Sequence, residues 1–346
     1  MIKVIVDCFG GDHSPTENIL GAIEALNLHE DLFILLTGDK DIINPILEKE
    51  TYDKSRLEIL DAKEVISCNE VPTLATFRKK DSSLMRAIET LKDDESYAGM
   101  VSLASTGALL VGSTIKIKKL DNVIRPACIP IMPTMNNDIV AVCDSGANVD
   151  CSKEELLQFA EMGSLYLKCC FNKENPRVAL LNIGTEEIKG DNLRKEAYPL
   201  LKECKSINFV GNMESRDLLT GDYDLVVSDG FAGNVLIKST EGTAIELLKL
   251  LKRTFTKSFK NKMGALILKK DIYEIKDFMD PNNYGGALLI GLRKLVVKAH
   301  GNAKRVSVRK SVEIVYNLAK NNFLEKMKEE LAKTFVEEKQ SVEEGK

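Results

Sequence analysis

No apolar run in this 346-residue sequence approaches the ~20 residues that a membrane-spanning helix needs, so no transmembrane anchor is expected. Histidine is scarce as well. The three present, His13, His29 and His300, show no metal-ligand spacing, and no G-x-S-x-G elbow occurs. A zinc hydrolase and a serine esterase are therefore unsupported, and His29 reads as an exposed loop residue. The dinucleotide fingerprint G-x-G-x-x-G is missing too. Gly107-x4-Gly112-Ser113-Thr114 approaches a phosphate-binding loop of NTPases but has Ser113 where the lysine belongs, which removes that reading. The eight cysteines, at 8, 68, 128, 143, 151, 169, 170 and 204, include no C-x-x-C pair, and Met1 to Asp7 reads into a buried strand without a basic leader. The expectation is a cytoplasmic chain, without a secretion signal, whose thiols are reduced and mostly packed. A net charge of −4 gives no overall attraction to nucleic acid, so an anionic partner would need a local basic patch.

What is present is an ordinary globular composition, 44% hydrophobic and 29% charged, in a chain long enough to bury a large core. Short β-branched runs at 4–6, 32–36, 57–60, 100–103, 178–182, 207–210 and 225–227 alternate with helix-length segments. That rhythm predicts an α/β fold, Rossmann-like, with a mainly parallel sheet and helices on both faces. The apolar runs flanking Thr134-Met135-Asn136-Asn137-Asp138 predict an antiparallel hairpin. Apolar residues at Ala244, Leu248, Leu251, Phe255 and Phe259 predict a long helix over 242–259, and a second helical pattern runs over 304–336. With no internal repeat and no linker signal, the parse is one domain over 1–336 with a helical excursion at about 240–275, then a solvated tail at 337–346.

Five segments combine small, hydroxyl and amide residues where strands end: D-C-F-G-G-D-H-S-P from Asp7, S-L-A-S-T-G-A from Ser102, D-S-G-A-N-V-D from Asp144, N-I-G-T-E from Asn182 and S-D-G-F-A-G-N from Ser228. Ligands of open α/β sheets bind outside the carboxyl ends of the strands, so such loops converging there would build a donor-rich cradle. Paired glycines before a helix start near Thr16 suit the close approach of an anion, or only a tight turn.

All of these segments except S-L-A-S-T-G-A, with R-P-A-C-I-P-I-M-P-T, L-L-N-I-G-T-E-E-I-K-G, V-G-N-M-E-S-R-D-L and N-Y-G-G-A-L-L-I-G-L followed by K-A-H-G, resemble the phosphate acyltransferases of bacterial phospholipid synthesis, the PlsX family. The resemblance runs from Val4 to about His300. It implies a homodimer with a fold akin to phosphotransacetylases and isopropylmalate dehydrogenases. It also implies transfer of a long fatty acyl group from acyl carrier protein to inorganic phosphate, with no cofactor or metal, and a membrane glycerol-3-phosphate acyltransferase as the downstream consumer of the acyl phosphate. Cys8 stands where the resemblance implies a small residue, and Ala104-Ser105 where it implies a Gly-Asn pair. On this reading His13, Lys189 and Asn234 are the catalytic candidates, and Gly10, Gly11, Asp12, Asn182, Thr185 and Asp229 bind substrate. Cys8 reads as packing rather than as an acyl acceptor.

One basic stretch stands out. Lys249, Lys252, Arg253, Lys257, Lys260, Lys262, Lys269 and Lys270 occur without an intervening Asp or Glu, around an apolar tip that includes Leu266 and Leu268. Arg253, Lys257, Lys260, Leu266 and Leu268 are candidates for contact with a membrane surface or with acidic carrier protein; a hairpin against a second subunit is the plainer alternative. Other functional readings are a phosphotransacetylase using short acyl-CoA, a nicotinamide-dependent dehydrogenase and a noncatalytic scaffold.

Overall fold

The computed structural model describes residues 1–67, 69–278 and 284–332; Cys68 and the tail expected at 337–346 lie outside them. The strands are β1 (Ile2–Asp7), β2 (Leu32–Gly38), β3 (Leu57–Asp61), β4 (Tyr97–Ser102), β5 (Ala127–Ile129), β6 (Ile131–Pro133), β7 (Ile139–Cys143), β8 (Arg177–Asn182), β9 (Asn208–Glu214), β10 (Leu225–Val227), β11 (Ala287–Ile290) and β12 (Leu295–Lys298). The helices are α1 (Thr16–Leu28), α2 (Lys40–Leu47), α3 (Pro72–Arg78), α4 (Ser83–Asp93), α5 (Thr106–Lys116), α6 (Lys153–Phe171), α7 (Asn192–Glu203), α8 (Gly230–Thr256), α9 (Phe259–Ile267), α10 (Lys269–Phe278) and α11 (Arg305–Lys320).

The parallel strands are divided between two sheets. One runs β3-β2-β1-β4-β12-β11-β5 and the other β6-β7-β10-β8-β9. Pairing is parallel except around β11 and β6, as expected when helical crossovers join most strands. The predicted hairpin is present as β6 against β7, with Ile131 opposite Ala141. One passage of the chain between the sheets is through Pro130, the residue separating β5 from β6.

Strand pleating sorts the core. Val4 and Val6 of β1 face one way, into a cluster that also takes Leu180, Leu225, Tyr166 of α6 and Val312 of α11, so the inner faces of both sheets share one core. Ile5 points the other way, among Leu84, Ile88 and Leu109 of α4 and α5. The outer face of the second sheet, Val142, Ala179 and Val226, packs against Leu236 and Ile237 of α8.

Several sequence expectations shift. The long middle helix starts at Gly230 rather than near 242, because Asp229 caps it by accepting the Ala232 N–H at 2.8 Å and its early glycines are packing positions. The C-terminal helical pattern is interrupted at Asn321-Asn322, where Asn322 is left-handed (φ 52°), and resumes at 323–332. β11 and β12, four residues each, were not expected as strands. His29 is half-buried, stacked on Tyr316 with ring centroids 4.2 Å apart, rather than free in a loop.

Candidate active site

The loop after β1 is built by a buried carboxylate and a buried amide. Asp7 accepts the Ser102 hydroxyl at 2.7 Å and the Phe9 N–H at 3.2 Å, and burial pushes its carboxyl above the ordinary range. From α1, Asn18 donates to the carbonyls of Asp7, Cys8 and Gly10 at 3.0–3.1 Å. Gly10 abuts the next loop so closely that a Cβ would stand 2.3 Å from the Ala104 nitrogen. Gly11 has φ +88°, and the Asp12 N–H donates to the Gly301 carbonyl at 2.7 Å. The paired glycines thus weld the ends of β1, β4 and β12 together, leaving Asp12 and His13 exposed at the rim. Cys8 is fully buried, its thiol pushed well above its usual value by burial and by the neighbouring Asp7.

The loop after β7 holds a cage. Asp144, fully buried, accepts the N–H groups of Cys128 (2.8 Å), Ser145 (2.7 Å), Gly146 (3.2 Å), Ala147 (3.1 Å) and Asn148 (2.6 Å), plus the Asn148 side-chain amide at 3.0 Å. Burial raises its carboxyl above the ordinary range, and the donors offset only part of that rise. The backbone donors that the sequence suggested for a ligand are therefore occupied by the protein's own carboxylate. The loop after β10 seals the cage: a Cβ on Gly233 would lie 2.0 Å from the Asp144 carbonyl oxygen, so only glycine fits. Asn234 donates to the Ser145 carbonyl at 3.1 Å. Asp229 is committed twice, to the α8 cap and to a close ion pair with Arg194, which also meets Asp191 at 2.8 Å.

The loop after β8 is different. Asn182 folds it, donating to the Lys189 carbonyl at 3.1 Å while its oxygen accepts the Ile183 N–H at 2.8 Å. Gly184 and Thr185 form no hydrogen bond among the described residues, and the exposed Lys189 ammonium has no ion pair there. Ile183 and Ile188, on either side, are 80% and 79% exposed.

The candidates therefore fall into two groups. Gly10, Gly11, Asp12 and His13 belong with the loops of the first sheet; Asn182, Thr185, Lys189, Asp229 and Asn234 belong with those of the second. The Ser145 N–H joins them by donating to the Cys128 carbonyl at 3.0 Å, and His300, at the end of β12, lies 3.4 Å from Glu241 on α8. Burial lowers the His300 imidazole against the opposing pull of Glu241. A groove of about 950 Å³ starts at Asn182, Gly190 and Arg194 and follows α8 toward Leu247. Arg253, Lys257 and Lys260 are exposed near the far end of α8 and the start of α9, with no ion pair among the described residues. Leu266 and Leu268 are 64% and 46% exposed there. Sequence reasoning missed Asn18, Arg194, the bond from Ser102 to Asp7 and the His300–Glu241 pair. Of these only Asn18 had a signal, an amide on the apolar stripe of α1.

Comparison with known proteins agrees in family and in fold. The family model described as "Fatty acid synthesis protein" matches residues 2–326. A phosphate acyltransferase of Clostridium tetani is 42% identical over 95% of this chain and 98% of its own length. One from Clostridium perfringens is 42% identical over 96% of this chain and 97% of its own. Among solved structures, a phosphotransacetylase from Streptococcus pyogenes superposes with a TM-score of 0.60 at 15% identity, covering 94% of both chains, which shows the shared fold. The chain belongs to the phosphate acyltransferase family of fatty acid synthesis proteins.

Proposed function

We propose that this protein moves a long-chain fatty acyl group from acyl carrier protein to inorganic phosphate, releasing acyl phosphate for phosphatidic acid synthesis. The observation that carries the reading is the β8 loop, where Gly184, Thr185 and the Lys189 ammonium stand unengaged beside Asn182 in a chain of this family. Lys189 is the phosphate clamp. The reaction needs little more than positioning. Phosphate, with a second pKa of about 6, is largely dianionic at neutral pH and attacks the thioester carbon through oxygen. The new C–O bond forms, the C–S bond breaks, and a thiolate leaves whose conjugate acid has a pKa of roughly 8.5. His13 at the rim protonates that sulfur, and the Asn234 amide steadies the oxyanion. Proximity supplies roughly 7–11 kcal/mol and an oxyanion donor about 3–4 kcal/mol.

No covalent intermediate is required, which fits the sealed position of Cys8. The protein works as a cytoplasmic homodimer, and the tip carrying Leu266 and Leu268 rests on the membrane where a glycerol-3-phosphate acyltransferase takes the product. Among the described residues no helix is long and apolar enough to cross a membrane.

The test mixes protein, palmitoyl-carrier protein and phosphate and traps acyl phosphate with hydroxylamine. Enzyme-dependent palmitoyl hydroxamate is expected, at a rate largely kept by Cys8→Ala and lost in Lys189→Ala. No hydroxamate above the enzyme-free control defeats the proposal, and a preference for acetyl-CoA would favour the phosphotransacetylase reading.

A further inference from the structure

The groove beside α8 is not used by any step above, yet its construction is unusual. Phe231, Val235, Ser239, Thr243 and Leu247 recur every four residues, so they form one stripe down the helix, and all five line the groove. Phe231, Val235 and Leu247 are 64%, 50% and 46% exposed, which leaves apolar surface open to water at both ends of a concave stripe whose middle carries the small hydroxyl residues Ser239 and Thr243. Leu218 and Leu219 from the segment after β9 face it, and Leu236 and Ala244 floor it. The stripe spans about 24 Å at ~1.5 Å per residue.

The two ends differ in chemistry. At the carboxyl end of β8 the lining is Asn182, Gly190 and Arg194, continuous with the loop that carries Thr185 and Lys189. The groove's charged lining residues are Asp191, Arg194 and Arg216, and α8 contributes none. A ligand that fits has one polar, reacting head and one long unbranched apolar tail.

We infer that this groove seats the acyl chain of the fatty thioester, with the carbonyl at the Asn182 end and the hydrocarbon lying along the α8 stripe toward Leu247, so that depth along α8 sets the preferred chain length. The inference rests on the proposed transfer reaction. The occupant is a single chain rather than a bulky group because the track is one helix stripe wide. Small hydroxyl residues at Ser239 and Thr243 keep it open at mid-length, where a larger side chain would close it. Length is therefore read by position on the helix, each additional methylene gaining contact only if the track ahead is clear.

The experiment compares wild type with Ser239→Trp and Thr243→Trp, both at exposed helical positions where the fold tolerates a large side chain. Acyl phosphate formation is measured with octanoyl- and palmitoyl-carrier protein, and binding of palmitoyl-pantetheine is measured separately by calorimetry, without turnover. Thr243→Trp is expected to lower kcat/KM for the palmitoyl donor by roughly tenfold or more while leaving the octanoyl donor within about twofold. Ser239→Trp is expected to impair both. If wild type is active and Thr243→Trp changes both donors equally or neither, the chain lies elsewhere and the groove assignment fails while the transfer reading stands. If wild type forms no acyl phosphate but binds palmitoyl-pantetheine more tightly than Thr243→Trp does, the reaction is wrong and the groove is right. A loss confined to oligomeric state, seen by light scattering with donor preference unchanged, would assign the groove to a second copy of the chain and overturn the inference.

Discussion

At the scale of single residues, the most consequential side chain is Asp144, whose carboxylate organises the loop after β7 by accepting from five consecutive or neighbouring N–H groups. Replacing it by alanine strands those donors in a dry interior. Asp144→Ala is expected to cost about 3–5 kcal/mol of stability in urea denaturation, with Asp144→Asn losing less because it keeps one acceptor in place. A loss below about 1 kcal/mol for the alanine variant would mean that the loop is held by something else. The fragment D-S-G-A-N-V-D was legible as donor-rich, but a sequence lists donors and acceptors without saying which are already matched. The pairing across 16 residues between Asp144 and the Cys128 N–H exists only in three dimensions. The same limit hid Arg194, whose partner Asp229 lies 35 positions on.

At the scale of elements, α8 changes character along its length. Its first turns bury Leu236, Ile237 and Ala244, whereas Leu247 and Leu250 are nearly half exposed and α9 buries no residue at all. Phe259 at 79% and Ile267 at 81% exposure are apolar groups that a lone chain in water leaves uncovered. Lys257, Lys260 and Lys262 nearby form no ion pair among the described residues, whereas Lys270 pairs with Glu274 at 3.7 Å, and this excess of exposed cations beside apolar groups motivates a test against an anionic lipid surface. Wild-type protein is expected to float with vesicles containing anionic lipid, and Leu266→Asp, Leu268→Asp to remain behind. Equal flotation would remove the membrane contact, and a shift in subunit mass would point to the partner chain instead. Periodicity found this excursion but misplaced its start, because Gly230 and Gly233 read as loop residues when they are helical contacts with the Asp144 loop. β11 and β12 escaped notice for another reason: in A-L-L-I-G-L-R-K-L-V-V-K the runs are too short for periodicity to separate strand from helix.

At the scale of the whole molecule, alternation of β-branched runs and amphipathic segments was enough to give the α/β class, since parallel strands need helical crossovers whatever their order. The division into two sheets was not legible, because strand order depends on contacts far apart in sequence. One clamp at the amino end of β10 makes global stability depend on acidity. Burial works to raise the Asp224 carboxyl, but the Arg177 side chain and N–H, with Lys173, outweigh it and hold it at about 2. In the unfolded chain the same group titrates near ~3.9. Its contribution is therefore complete above that value and is lost as pH falls toward 2, on the order of 1 kcal/mol after solvent screening. Asp224→Asn should flatten the acid limb of stability against pH while lowering stability at pH 7; an unchanged acid limb would exclude the clamp. A different consequence follows from Pro130. At this crossing one residue joins the sheets, and Cys128 is fastened to both Asp144 and Ser145, so β5 and β6 form a short strap between the two halves of the molecule. Closing the cleft between the sheets would have to bend this strap or break those bonds, so reactants meet two walls that are held at a set spacing beside it.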